Sequence, residues 1–296
     1  MNNLVLSLFP GIGLLDMAFE EEGFCIVRGP DCLWGGDIRR FYPPSGCWGG
    51  LIAGPPCQTF SSLAHLVRAN GHEPKFGNLI PEFERCVAEA GPDWFLMENV
   101  RAAPEPMVAD YQTKSFLLDN SALDSGDGYG NEQRRLRRFT FGLRGRAAPD
   151  LRKWIDLAVF LLPDAEKAVF GDGHPTRQEV RHRRQAVLSD PSAVPVKIGG
   201  SGKVKRTAVS GGGGGGGPGR PDSCKGVVTS NVGGRASRYR LADALRLQGL
   251  PENFLKDAPF TAEGKLKAVA NGVALPTGRA IAKAVKEALD AAPAPE

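Results

Sequence analysis

The sequence predicts an α/β protein built on a mostly parallel sheet. Short apolar runs of strand length alternate with segments of helical period. Several of those runs end at glycine, proline or polar turns. The chain has 296 residues, 42% hydrophobic and 24% charged, as expected for an ordinary globular protein able to bury a sizeable core.

Residues 3–9, NLVLSLF, form the first strand, which stops at Pro10-Gly11-Ile12-Gly13. The stretch LLDMAFEEEGF then has helical period, with Leu14, Leu15, Ala18 and Phe19 apolar and Glu20 to Glu22 solvated. Phe24 to Val27 is a second short strand, and Gly50 to Ala53 a third that ends at Gly54-Pro55-Pro56-Cys57. Phe83 to Ala90 reads as helix, and Trp94 to Met97 as a buried strand ending at Glu98-Asn99. Gln133 to Arg137 leads into the apolar run Phe139 to Phe141; as a strand it sets Gln133, Arg135 and Arg137 on one face. Beyond Gly142 the character changes. Residues 143–236 are rich in Arg, Gly and Pro, and the run Gly211 to Gly217 is a flexible loop by composition. A helix from Tyr239 to Leu247 is stopped by Gly249-Leu250-Pro251, and a last helix runs from about Gly278 to Leu289.

Charge is uneven. Residues 130–240 hold 22 Lys and Arg against 9 Asp and Glu, whereas the remainder holds 15 against 24. A basic region within an otherwise acidic chain is the footprint of a polyanion partner, and points to nucleic acid. The six cysteines form no CxxC pair and the four histidines no metal-ligand spacing, which argues against structural zinc and a disulfide framework. No apolar run reaches the length of a membrane span, and the N-terminus lacks a basic secretory start. A cytoplasmic protein with no membrane partner is expected.

In parallel α/β sheets ligands bind beyond the carboxyl ends of the strands. The Gly11 turn, Cys57 and Glu98 all fall at such ends. A strand–GxG–helix turn suits a nucleoside cofactor, because glycine lets the backbone approach closely. The third glycine of a dinucleotide fingerprint is missing. Asp31, 18 residues after Gly13, and Asp37 in GGDI are candidates for hydrogen bonding to the nucleoside. Pro55 and Pro56 stiffen the approach to Cys57. That cysteine reads as a nucleophile, a metal ligand or a small core residue. Burial would raise the Glu98 pKa and let it donate to a ring nitrogen.

Taken in order, LFPGIGLLDMAFE, GGDIRRF, GPPCQTFSSL, FLMENV, QRRLRR, ADALRLQGLPENF and VANGVALPTGRAIA resemble the successive motifs of the cytosine-5 DNA methyltransferases. The resemblance runs over nearly the whole chain except its basic middle region. It implies a Rossmann-like S-adenosylmethionine-dependent methyltransferase sheet, with a small target-recognition domain inserted before the C-terminal helix. The implied division is a catalytic, cofactor-binding domain over 1–142 and 264–296 and a target-recognition domain over 143–263. Cys57 is similar to the family's nucleophile, which adds to carbon 6 of a flipped cytosine so that carbon 5 accepts the methyl group. Glu98 matches the acid that contacts N3 and the exocyclic amine. Asn99 would fix the loop around Cys57, and Arg137 matches the arginine at the cytosine O2, supported by Arg135 and Gln133. Phe9 matches the aromatic against the adenine. Pro10, Gly11, Gly13 and Pro55 belong to the cofactor loops, with Asp31 and Asp37 on the nucleoside. Asn271 lies in the segment that closes the cofactor site. Departures are VRGPDCLW after the second strand, Asp243 where glutamate is usual, and Ala270 where glycine precedes the asparagine.

The implied cofactor is S-adenosyl-L-methionine and the implied partner is double-stranded DNA. A cognate restriction enzyme is a further option, and a monomer is the expected state. The alternatives are a transfer-RNA cytosine-5 methyltransferase of the same fold and a catalytically silent DNA-binding relative.

Overall fold

A computed structural model describes residues 2–60, 71, 76–124, 131, 133–157, 205–206, 229–232, 235–238 and 241–291. Most of the basic stretch expected to read DNA, including Gly211–Gly217, lies outside the described residues. The chain divides into two compact units, one of residues 1–117, 137–154 and 281–296, the other of residues 118–136 and 155–280.

The first unit is organised by a six-stranded sheet of β1 (Leu4–Leu8), β2 (Cys25–Arg28), β3 (Gly50–Ala53), β4 (Trp94–Asn99), β5 (Tyr111–Asp119) and β7 (Leu136–Arg144), in the order β2-β1-β3-β4-β7-β5. β2, β1, β3 and β4 are parallel, and β7 lies antiparallel to β4. The β3 and β4 side chains are buried along their whole length, the pattern of central strands covered on both faces. Alternation along β4 divides the core between those faces. Trp94 stacks with Phe19 at 6.0 Å and meets Phe24 edge-on at 5.7 Å. Phe95, on the opposite face, meets Phe83 at 5.5 Å and Tyr111 at 5.3 Å.

α1 (Leu14–Glu21) buries Leu14, Leu15, Ala18 and Phe19, the stripe its period predicts. α2 (Ile80–Ala90) buries Ile80, Phe83, Cys86, Val87 and Ala90. It starts three residues before the expected Phe83, since Ile80 continues the apolar stripe and a proline fits the first turn. β5 was not expected. Its sequence YQTKSFLLD is polar and exposed through its first half, as an edge strand can be.

In the second unit β6 (Gln133–Arg134) pairs with β8 (Lys205–Arg206), and β9 (Thr229–Val232) with β10 (Arg235–Arg238). α3 (Leu241–Leu247) is followed by α4 (Ala262–Asn271), which sequence period did not reveal because only Ala268, Val269 and Ala270 of it are buried. Thr261 caps α4, its hydroxyl accepting from the Gly264 N–H at 3.1 Å. α5 (Leu275–Asp290), which belongs to the first unit from Ile281 onward, begins before the expected Gly278, with Pro276 in its first turn. Among the described residues, no helix is long and apolar enough to cross a membrane.

Candidate active site

Strand register brings the suspected segments together. Leu8 of β1 aligns with Ala53 of β3, and Ala53 with Met97 of β4. The next residues along the chain are Phe9, Gly54 and Glu98. The polypeptide moves from β1 to β2 on one side and returns to β3 on the other, so the loops after β1 and β3 flank the crevice where such sheets bind ligands.

The loop after β1 is constrained. Phe9 holds φ +56°, a left-handed value that costs a non-glycine residue roughly 1–3 kcal/mol, while its ring packs partly buried against the core. Gly11 (φ +56°) and Gly13 (φ +80°) share that region of conformational space, where glycine carries no Cβ penalty. The Gly13 N–H donates to the Pro10 carbonyl at 2.8 Å, and Gly13 starts α1 without a side-chain cap. Asp31 Oδ2 accepts from the Gly11 N–H at 2.9 Å, and the Trp34 indole donates to the Gly11 carbonyl at 2.7 Å. Asp37 caps its own 3-10 turn and pairs with Arg39 at 2.9 Å; that hydrogen bond holds its carboxyl below the usual range. Arg85 ties the same turn to α2 by donating to the carbonyls of Ile38 and Phe41 at 2.9 and 3.0 Å.

The loop after β3 carries the half-buried Cys57, whose carbonyl accepts from the Phe60 N–H at 3.0 Å. Asn99 secures that loop, donating to the Pro55 carbonyl at 3.2 Å and accepting from the Val100 N–H at 2.8 Å. Glu98 and Arg137 form an ion pair at 3.0 Å, with side chains 12% and 16% exposed. Period explains their meeting: Glu98 faces Phe139 across the ladder, and Arg137, two residues away, projects from the same side. The expected buried carboxyl is thus a buried carboxyl with a guanidinium partner. Its Oε2 lies 3.6 Å from where a Cβ on Gly54 would stand, so the acid borders the cysteine loop.

Gln133, Arg135 and Asn271 belong to the second unit. The expected single polar face over Gln133, Arg135 and Arg137 is interrupted. The ladder breaks at Arg135, whose N–H donates to Asp119 Oδ1 at 2.9 Å. The Arg135 guanidinium donates to the carbonyls of Ala270 (3.1 Å) and Gly272 (2.9 Å), on either side of the exposed Asn271. Those are carbonyls that the end of α4 leaves without helical partners. The Gln133 side chain is buried, and its amide has no hydrogen-bond partner among the described residues.

Sequence reasoning missed several groups that shape these loops. Ser7 donates to Asp16 at 2.5 Å, and Arg28 pairs with the other Asp16 oxygen at 2.8 Å. Burial pushes the Asp16 carboxyl up. The Arg28 guanidinium lies over Gly13, within 2.7 Å of a Cβ there. The available signal was a serine and an aspartate inside otherwise apolar faces. Gln248, just before the Gly-Leu-Pro stop, donates to the Val269 carbonyl at 2.7 Å and completes the clamp around Asn271.

The model of the C-5 cytosine-specific DNA methylases matches residues 35–190, more than half of the chain. The chain belongs to the C-5 cytosine-specific DNA methylase family. Among curated members it is 30% identical over 167 residues to the type II methyltransferase M.FnuDI of Fusobacterium nucleatum, covering 47% of this chain and 46% of that protein. It is 29% identical over 171 residues to M.NgoPII of Neisseria gonorrhoeae, covering 47% and 48%. This methylase-family chain therefore spans about half the length of the curated relatives it matches. Among solved structures it is similar to a DNA modification methyltransferase encoded within an Escherichia coli prophage, with TM-score 0.53, 16% identity and coverage of 97% and 99%. Dnmt2 methyltransferase of S. pombe also gives TM-score 0.53, at 11% identity with coverage of 97% and 98%. These two likenesses establish the methyltransferase fold.

Proposed function

We propose that this protein is a DNA (cytosine-5-)-methyltransferase that uses S-adenosylmethionine. The observation that carries the reading is the Glu98–Arg137 pair, bordering Gly54 of a Pro-Pro-Cys loop whose Pro55 carbonyl is tied down by Asn99. An acid, a guanidinium and a thiol at adjoining strand ends match the needs of nucleophilic addition to a pyrimidine.

The glycine turn fits the cofactor. A Cβ on Gly11 would meet no atom of the described chain within 4 Å, so backbone can approach a ligand closely there. Phe9, Pro10, Gly11, Gly13 and Pro55 would hold the cofactor. Asp37 would serve its nucleoside end. Bound there, S-adenosylmethionine supplies an electrophilic methyl group.

A target cytosine inside a duplex must leave the base stack, at a cost of a few kcal/mol. Basic residues of the middle region offset that cost through phosphate contacts. Cys57 as thiolate forms a bond to carbon 6, and electron density moves toward N3 and O2. Arg137 meets the charge at O2, and Glu98 binds N3 and the exocyclic amine. Asn99 keeps the loop from drifting. Carbon 5, now electron-rich, would take the methyl group as its bond to the sulfonium breaks, leaving S-adenosylhomocysteine. Loss of its proton to a base and release of the sulfur restore Cys57.

The test is incorporation of tritiated methyl groups into duplex DNA, single-stranded DNA or transfer RNA, with Cys57→Ser as control. Label in duplex DNA that vanishes in the variant is expected. Label entering only transfer RNA would move the substrate to RNA, and label in no polymer would leave a silent relative. Duplex DNA carrying 5-fluorocytosine should form a covalent adduct that Cys57→Ala abolishes; an adduct that survives would reassign the nucleophile.

A further inference from the structure

The acidic residue after the second strand of such a sheet ordinarily holds a ribose. Here its carboxylate has protein partners. Oδ1 of Asp31 accepts from the Leu33 N–H at 2.7 Å, and Oδ2 accepts from the Gly11 N–H at 2.9 Å. The Asp31 carbonyl accepts from the N–H groups of Trp34 and Gly36 at 3.0 and 2.9 Å, closing a compact turn. From that turn Trp34, 57% exposed, sends its indole N–H to the Gly11 carbonyl at 2.7 Å. The Gly11 N–H belongs to the peptide plane before its Cα, and its carbonyl to the plane after. Only φ and ψ of Gly11 relate those two planes. Fixing both planes from one turn therefore fixes both dihedrals, including the left-handed φ of +56°.

We propose that Asp31 and Trp34 are positioning residues that clamp Gly11, and that they act on the cofactor through the glycine turn rather than through its ribose hydroxyls. The inference rests on the cofactor reading above. Trp34 contributes as a hydrogen-bond donor, which its place three residues beyond Asp31 allows because the 3-10 turn Cys32–Trp34 turns the chain back toward the first loop.

The experiment is calorimetric titration of the full chain with S-adenosylhomocysteine and with its 2′-deoxy and 3′-deoxy analogues. The proteins are wild type, Asp31→Ala, Asp31→Asn, Trp34→Phe and the Asp31→Ala/Trp34→Phe double variant. Loss of a hydrogen bond to a charged group predicts that Asp31→Ala weakens binding about tenfold, by the same factor for all three ligands. Trp34→Phe keeps the ring but removes the donor and should weaken all three several-fold. The double variant should be little worse than Asp31→Ala, because the Trp34 tether is effective only while Asp31 holds the turn that carries it. A wild-type preference for the hydroxylated ligand that disappears in Asp31→Ala would overturn the inference and restore Asp31 as a ribose ligand. Unchanged affinity in Trp34→Phe would overturn it as well. Should Asp31→Ala fail to fold by circular dichroism, Asp31→Asn and the exposed Trp34→Phe decide on the same criteria. Wild-type protein that binds none of the ligands overturns the cofactor reading and this inference with it. Wild-type binding with either contrary variant result overturns this inference alone.

Discussion

Removing Arg137 should strand a carboxylate. The Glu98–Arg137 pair closes at 3.0 Å, with side chains 12% and 16% exposed. At an effective dielectric near 20 the gross attraction is about 5–6 kcal/mol, most of it offset by desolvation of the two ions. Deleting one partner forfeits the attraction while the desolvation of the other remains. For a fully buried pair that costs 3–5 kcal/mol; with this residual exposure we expect about 2–4 kcal/mol for Arg137→Ala. Glu98→Ala should cost a similar amount. The double variant should cost less than the sum of the two, with a coupling of about 2 kcal/mol. The assay is guanidinium unfolding followed by tryptophan fluorescence. All four tryptophans (Trp34, Trp48, Trp94 and Trp154) lie in the first unit, so the signal reports the unit that holds the pair. Arg137→Lys should recover part of the stability and little of the methyl transfer, since an ammonium cannot reproduce the planar fork. Additive single-variant costs, with coupling below about 0.5 kcal/mol, would refute the pairing on which the site reading depends.

Three further outcomes are expected. Burial raises the Asp16 carboxyl above its ordinary 3.8, so the folded state holds that proton more tightly than the unfolded chain does. Stability should therefore fall as pH rises from 3.8 through the folded-state value, and Asp16→Asn should flatten that slope; identical melting-temperature profiles for variant and wild type would rule this out. Asn99→Ala should cost about 1–2 kcal/mol and slow methyl transfer roughly tenfold by freeing the Pro55 carbonyl, with Asn99→Asp intermediate; an unchanged rate would remove Asn99 from the positioning of Cys57. Cys86, fully buried with its thiol pushed up to about 11, should resist iodoacetamide at neutral pH while exposed Cys25 and Cys32 react; mass spectrometry finding native Cys86 alkylated as fast as those two would contradict the packing under α2.

Residue type and order settled a good deal. Apolar runs of strand length, each closed by a glycine, proline or polar turn, identify β1, β3 and β4 and the side chains standing at their carboxyl ends. The stripe of α1 and much of that of α2 follow from spacing alone. The Pro-Pro-Cys turn and the Glu-Asn ending of β4 are likewise local features, because backbone restriction and alternation act over a few residues. Edge strand β5 and the sparsely buried α4 escaped, since neither carries a strong period. Partnership was beyond reach of spacing. Glu98 meets Arg137 only because β7 lies antiparallel on β4 in one register; a slip of one residue would turn the guanidinium to the other face. Asp31 reaches Gly11 because the turn after β2 folds back, and Arg135 reaches Ala270 across 135 residues of chain. Such choices depend on long-range packing, which sets distances between side chains that sequence separation does not encode.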